Sequence, residues 1–198
     1  MQIGWREFIK SRFRKASKFY SLGIEIGVKD FHVSTLQKVK DKIVWVEQNS
    51  FPIENWQTTL KTYVVNNNLA NTQCNISISI SQYQLLQVDK PPVEDSELNQ
   101  ALQWTIKEQL SSDERFTIDY FDPPAAAVNA EKLNVVAIMT KHILEIRDGI
   151  LKAGLALNTI GIGELATCNL LAHSDDAIIT LNQEEGGQLC LNIVKRNQ

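Results

Sequence analysis

Hydrophobic spacing changes period several times along this 198-residue chain, and each change marks an element. Trp5, Phe8, Ile9, Phe13, Ala16 and Tyr20 recur at steps of three and four, with basic residues filling much of the other face, which predicts an amphipathic helix. Period two follows. Leu22-Gly23-Ile24-Glu25-Ile26-Gly27 and Phe31-His32-Val33-Ser34-Thr35-Leu36 alternate on either side of a Val28-Lys29-Asp30 turn, and Ile43-Val44-Trp45-Val46 forms a third strand beyond Lys40-Asp41-Lys42. Such short separations favour an antiparallel meander. Helical spacing returns at Trp56, Leu60, Tyr63 and Val64, closed by Asn66-Asn67-Asn68. Ile76, Ile78 and Ile80 then alternate with serines as a half-buried strand, so the first stretch reads βββαβ, one sheet layer with a crossover helix.

An extended piece around Leu85-Leu86-Gln87-Val88 ends at Pro91-Pro92. Asp95 or Ser96 caps a helix that carries Leu98, Ala101, Leu102, Ile106 and Leu110 on one side. Phe116–Phe121 is a strand, residues 122–132 a loop, and Leu133–Thr140 a continuous apolar strand of the kind buried on both faces. A helix with Ile143, Ile146, Ile150 and Leu151 follows, with Gly154 at its left-handed C-terminal position. Leu155–Ile162 is a strand, Glu164–His173 a short helix, and Ala177–Leu181 with Gln188–Val194 a final hairpin.

Composition narrows the class. At 22.4 kDa, with 43% hydrophobic and 22% charged residues, the chain holds one large domain or two small ones and is no disordered tail. A formal net charge of −3 argues against nucleic acid as a partner. The charge is uneven, however. Arg6, Lys10, Arg12, Arg14, Lys15 and Lys18 face only Glu7 within residues 1–19, a local +5 that leaves −8 on the rest. A basic leader of this kind lies flat on an anionic bilayer, with Trp5, Phe8, Arg12, Phe13 and Lys15 as the membrane-surface candidates; the alternative is a solvated leader ordered only against the body of the protein. No apolar run approaches the roughly 20 residues of a spanning helix. The leader lacks an apolar signal core, so no secretion signal is expected. Cys74, Cys168 and Cys190 are odd in number and widely spaced, which favours reduced thiols.

Reaction chemistry is thinly represented. His32, His142 and His173 stand alone, no phosphate-loop or nucleophile-elbow motif occurs, and no metal site is expected. Asp113-Glu114 and Glu184-Glu185 read as solvated turns.

One combination is more specific. The Gly23-Ile24-Glu25-Ile26-Gly27 strand and its hairpin, the Ile78-Ser79-Ile80 and Leu86-Gln87-Val88 segments before Pro91, the Glu97–Leu110 helix, the Asp119-Tyr120 pair in the following strand and the Val135–Met139 strand occur in a characteristic order. In this order the chain resembles the PilM family of actin-like pilus biogenesis proteins, in its MshI branch, which serves mannose-sensitive haemagglutinin (MSHA) pili. The resemblance implies an α/β fold (α+β, mixed sheet): an actin-like, ribonuclease H-like lobe with a small inserted α+β subdomain. The corresponding division is residues 1–20 as leader, 21–82 as the first part of the lobe, 83–132 as the insert, 133–175 as the return to the lobe and 176–198 as the start of a second lobe.

It further implies a cytoplasmic protein peripheral to the inner membrane. Its partner there would be a bitopic pilus assembly protein (MshJ/PilN-like), held by its N-terminal tail. In the family two phosphate hairpins clasp ATP and Mg. Here Glu25 replaces an aspartate, Gly27 remains, and Val28-Lys29-Asp30 replaces small hydroxyl residues. Thr180-Leu181-Asn182 falls where an Asp-Ile-Gly is expected, and Glu184 and Glu185 would repel a triphosphate. Glu25, Gly27 and Lys29 thus read as a vestigial phosphate loop, with no cofactor expected, no catalytic residue and no enzymatic activity. Trp104, off the Leu98–Leu102–Ile106 face, and Leu86 are the candidate partner contacts; packing against the neighbouring sheet is the alternative for Trp104. An actin-like ATPase or sugar-kinase relative binding ATP and Mg weakly, and the cytoplasmic domain of a type II secretion platform, are the alternative functions.

Overall fold

The structure, a computed structural model, describes residues 19–110, 112–122, 132–168, 176–183 and 189–194. The leader candidates Trp5, Phe8, Arg12, Phe13 and Lys15 lie outside these residues, as do His173, Glu184 and Glu185. The chain divides into two compact units: the described part of Met1–Ser77 with Arg147–Ile160, and Ile78–Ile146 with the described part of Gly161–Gln198.

The first unit is built on the meander. Strands β1 (Ser21–Ile26), β2 (Asp30–Val39) and β3 (Lys42–Pro52) pair antiparallel, and β4 (Gln73–Ile78) and β8 (Ala156–Ile162) complete a five-stranded sheet in the order β3-β2-β1-β4-β8. Alternation does what it predicts: Leu22, Ile24 and Ile26, Phe31 and Val33, and Cys74 and Ile76 are buried along one face. Helix α1 (Trp56–Asn66) covers this layer through Leu60, Tyr63 and Val64. Its start is pinned by aromatic contacts. Phe31 stacks on Phe51 at 5.2 Å and meets Trp56 edge-on at 6.4 Å, while Phe51 meets Tyr63 at 5.4 Å.

Two glycines matter here. Gly149, in α3 (Thr140–Lys152), lies so close to Trp56 that an added Cβ would sit 2.5 Å from Cη2 of the indole, so only glycine lets this helix approach. Gly154 ends α3 at φ 89°, the left-handed position expected of it.

The second unit has its own sheet, in the order β5 (Gln84–Asp89), β7 (Lys132–Met139), β6 (Phe116–Phe121), all antiparallel. Helix α2 (Asp95–Leu110) lays Leu98, Leu102 and Ile106 on Val88, Ile118, Leu133, Val135 and Ala137. The unit also contains α4 (Gly163–Cys168) and the two-stranded ribbon β9 (Ile178–Gln183) with β10 (Leu189–Val194).

Several expectations change. β2 and β3 run longer than their apolar cores, through Val39 and Pro52. Ile80 begins a 3₁₀ turn (Ile80–Gln82) and does not continue β4. The β7 face carrying Leu133, Val135 and Ala137 is buried under α2, whereas on the other face Ile138 alone is buried and Lys132, Asn134 and Val136 are half-buried, so burial on both faces is only partial. β7 is also the central strand of the second unit's β5-β7-β6 sheet, whereas the resemblance implies that residues 133–175 return to the lobe. Leu151 is exposed, one residue past the buried Ile150. The described α4 ends at Cys168; residues 169–175, the rest of the expected helix, lie outside the description.

Candidate docking site

The nucleotide reading rests on the first hairpin. Glu25 is exposed on β1, in register with His32 on β2. The Gly27 N–H donates to the Asp30 carbonyl at 3.0 Å, and the Lys29 carbonyl accepts from the Ile53 N–H at 2.7 Å. A phosphate cradle needs backbone N–H groups turned outward to the anion. Here the glycine N–H is spent closing its own turn, and the exposed, branched Val28 stands beside it. The exposed Glu25 carboxylate is the group of this hairpin that would oppose a triphosphate. The second ribbon belongs to a different sheet, and its tip, residues 184–188, lies outside the description. Among the described residues no group of three or more His, Cys, Asp or Glu side chains gathers as a metal site. We expect Mg·ATP at millimolar concentration to leave the thermal midpoint of the intact chain unchanged. Binding a hundredfold above its dissociation constant would add about 2.7 kcal/mol and raise that midpoint by several degrees, so a calorimetric scan decides the matter.

Cys74 and Cys168 are free thiols. Burial pushes the Cys74 thiol up from its ordinary 9.0 to about 12, which makes it an inert core residue and no nucleophile.

A more substantial concavity lies in the second unit, at the C-terminal end of α2. Because Leu98, Leu102 and Ile106 take the buried stripe, Trp104 must point outward, and it is 69% exposed. Core packing is therefore excluded for Trp104. Leu86 behaves oppositely: it is half-buried against the unit's core, and the neighbouring Leu85 is the exposed residue. Strand alternation fixes this choice, since Val88 faces inward and Leu86 shares its side of β5.

Trp104 borders a cavity of about 420 Å³ shared with Lys107, Glu108, Ser112 and Asp113. A second cavity, of about 460 Å³, meets the first at Ser112. Its apolar wall is Tyr83, Leu110, Phe116 and Met139, and its polar rim includes Gln82, Glu114 and His142. The rim is held by a small network. The Thr140 N–H donates to the Arg115 carbonyl at 2.8 Å, Thr117 and Thr140 share a hydroxyl contact at 3.1 Å, and Lys141 pairs with Glu114 at 3.1 Å. His142 Nε2 lies 3.4 Å from the Gln82 side-chain oxygen, and the Tyr83 hydroxyl donates to Glu164. The exposed ion pair contributes at most about 1 kcal/mol, so the backbone bond and the threonines set the shape. A groove with one apolar wall, a mixed-charge rim and an exposed indole at its mouth suits an extended or helical peptide.

No family model matches the sequence, and no curated protein matches it. Solved structures do. The fold is similar to the cytoplasmic domain of EpsL, an inner-membrane component of the type II secretion system of Vibrio cholerae, with a TM-score of 0.63 and 12% identity over 86% of this chain and 70% of that one. It is also similar to a chain of the PilM–PilN type IV pilus biogenesis complex, with a TM-score of 0.62 and 12% identity over 90% of this chain and 62% of that one. No helix among the described residues is long and apolar enough to cross a membrane. The expected mixture of sheet and helix is thus observed, an α+β architecture similar in fold to the EpsL cytoplasmic domain and to the PilM–PilN complex chain.

Proposed function

We propose that this chain is a non-catalytic assembly protein of a type IV pilus machine, of the MSHA type, working on the cytoplasmic side of the inner membrane. It holds the N-terminal tail of a bitopic, PilN-like partner (MshJ in an MSHA system) in the groove at the end of α2. It requires no ATP or magnesium for this. The observation that carries the reading is the exposed Trp104 beside a two-part groove on a fold shared with a PilM–PilN complex chain. A buried aromatic anchor is the commonest source of affinity in a peptide interface, and an indole already presented to solvent loses little on ordering. The type II secretion reading uses the same surface with a different partner, following the EpsL likeness.

Fluorescence polarisation with a labelled synthetic peptide of a PilN-type cytoplasmic tail tests this. Trp104→Ala is expected to weaken the peptide at least about tenfold while leaving the thermal midpoint within a degree or so. Equal affinity for the variant, or no peptide binding by the parent, overturns the assignment of this groove.

A further inference from the structure

The outer end of the β2–β3 ribbon carries a feature that peptide docking does not use. β1 begins opposite Leu36, and beyond that point Gln37–Val39 and Lys42–Val44 continue as a two-stranded extension. At about 3.3 Å per residue the extension projects roughly 10 Å past the start of β1. Every residue from Lys38 to Gln48 is exposed, including Val39, Ile43, Val44, Val46 and Trp45, the last at 65%.

Register shows how these side chains are distributed. Trp45 pairs with Leu36 and Ile43 with Lys38, on one face; Val44 pairs with Gln37 and Lys42 with Val39, on the other. Apolar and lysine side chains thus occupy both faces of the tip. An added strand along the β3 edge would satisfy backbone groups but leave both faces in water. A flat protein surface would cover one face only. A medium that surrounds the tip covers both.

Charge selects which medium. Lys38, Lys40 and Lys42 surround Asp41, which Lys38 reaches at 3.9 Å, so the tip is +2 on a protein of net −3. The chain also enters the fold at this end. The Tyr20 N–H donates to the Leu36 carbonyl at 2.9 Å, directly after the stretch 1–19 with its +5. The described chain thus begins at the end of the sheet where the ribbon tip lies; in sequence the tip and the stretch 1–19 are both basic and aromatic-containing, and the remaining residues carry −10. Tryptophan at the headgroup level, with lysine stems lying along the apolar part and ammonium groups reaching phosphate, is the composition of a membrane–water interface.

We infer that the tip of the β2–β3 ribbon is a wedge that enters the headgroup region of an anionic phospholipid bilayer, with Ile43 inside it, Trp45 at its outer boundary and Lys38, Lys40 and Lys42 holding lipid phosphate. The roughly 10 Å projection matches the depth that interfacial elements reach. The inference rests on the reading above only for the nearness of a membrane. Peptide capture and lipid capture use different units of the protein and are measured separately.

Flotation of the intact chain with vesicles containing about 30% phosphatidylglycerol in phosphatidylcholine tests it, with pure phosphatidylcholine as the neutral arm. The parent is expected to float with the anionic vesicles and not with the neutral ones. Ile43→Ser with Trp45→Ser, and separately Lys38→Gln with Lys40→Gln and Lys42→Gln, should each lower partition at least about tenfold, with thermal midpoint and tail-peptide affinity unchanged. A parent that fails to float overturns the wedge whatever the variants do. Variants that float as well as the parent overturn it too, since residues 1–19 then bind alone. Equal flotation with both lipids would remove the role given to the lysines. A parent that sediments as a dimer without lipid, ignores vesicles and becomes monomeric on Trp45 substitution would make the tip an interface between copies.

Discussion

Phe31→Ala is expected to cost about 4 kcal/mol, the largest loss from any single truncation in the first unit. Phe31 is fully buried on β2 and touches two other rings, Phe51 stacked at 5.2 Å and Trp56 edge-on at 6.4 Å. Truncation removes the transfer free energy of a benzyl group and leaves a hole that the surrounding rings cannot easily fill. Phe51 is tied to Tyr63 at 5.4 Å, the Asn49 amide donates to the Tyr63 hydroxyl at 3.2 Å, and Gly149 sits against Trp56. Phe31→Leu keeps most of the volume and should cost less than half as much. Urea unfolding followed by far-ultraviolet circular dichroism measures both, and a loss under about 1 kcal/mol for the alanine variant would show that the aromatic cluster does not hold α1.

Leu102→Ala is the second large effect, about 3 kcal/mol. Leu102 is fully buried in the middle of the α2 stripe, between Leu98 and Ile106, and faces a core that includes Val135 and Ile118. Two positions away, Trp104 is mostly in water. The pair forms an internal control on one helix: Leu102→Ala should lower stability severely, and Trp104→Ala should lower peptide affinity with stability intact. Denaturant titration read alongside peptide polarisation separates the two roles. Similar stability losses at both positions would mean that α2 rotates about its axis relative to the face described above.

Much of this fold was legible because alternation and helical spacing are enforced wherever one face is buried. Phe116–Phe121 has the bounds its sequence indicated, and Leu98, Leu102 and Ile106 are the buried residues of α2. Legibility failed where that constraint lapses. Glu47-Gln48-Asn49-Ser50 carries no apolar pattern yet belongs to β3, an edge strand exposed over most of its length, where backbone pairing with β2 alone sets the conformation. The continuous apolar run Leu133–Thr140 suggests burial on both faces because apolar content does not count the layers above and below a strand; this sheet has α2 on one face. Leu85 and Leu86 are chemically alike, and only the register of β5 decides which is exposed. Trp104 was recognisable by its offset from the helix stripe. The groove beside it was not, since Gln82, Glu114 with Phe116, and His142 come from three separate segments and match no motif.

The shift in register between Thr35 and Leu36 has a further consequence. It leaves Val46 as an extra residue on β3, just before the solvent-facing Ile43-Val44-Trp45 segment is reached from the inner half of the strand. An open edge with that composition would ordinarily template cross-β growth, one identical segment stacking on the next. A bulge at this point bends and twists the strand, so its donors and acceptors no longer form the flat ladder that fibril extension requires. The irregularity therefore acts as a safeguard against self-assembly into amyloid, keeping an oily, β-prone surface available for use without making it a seed.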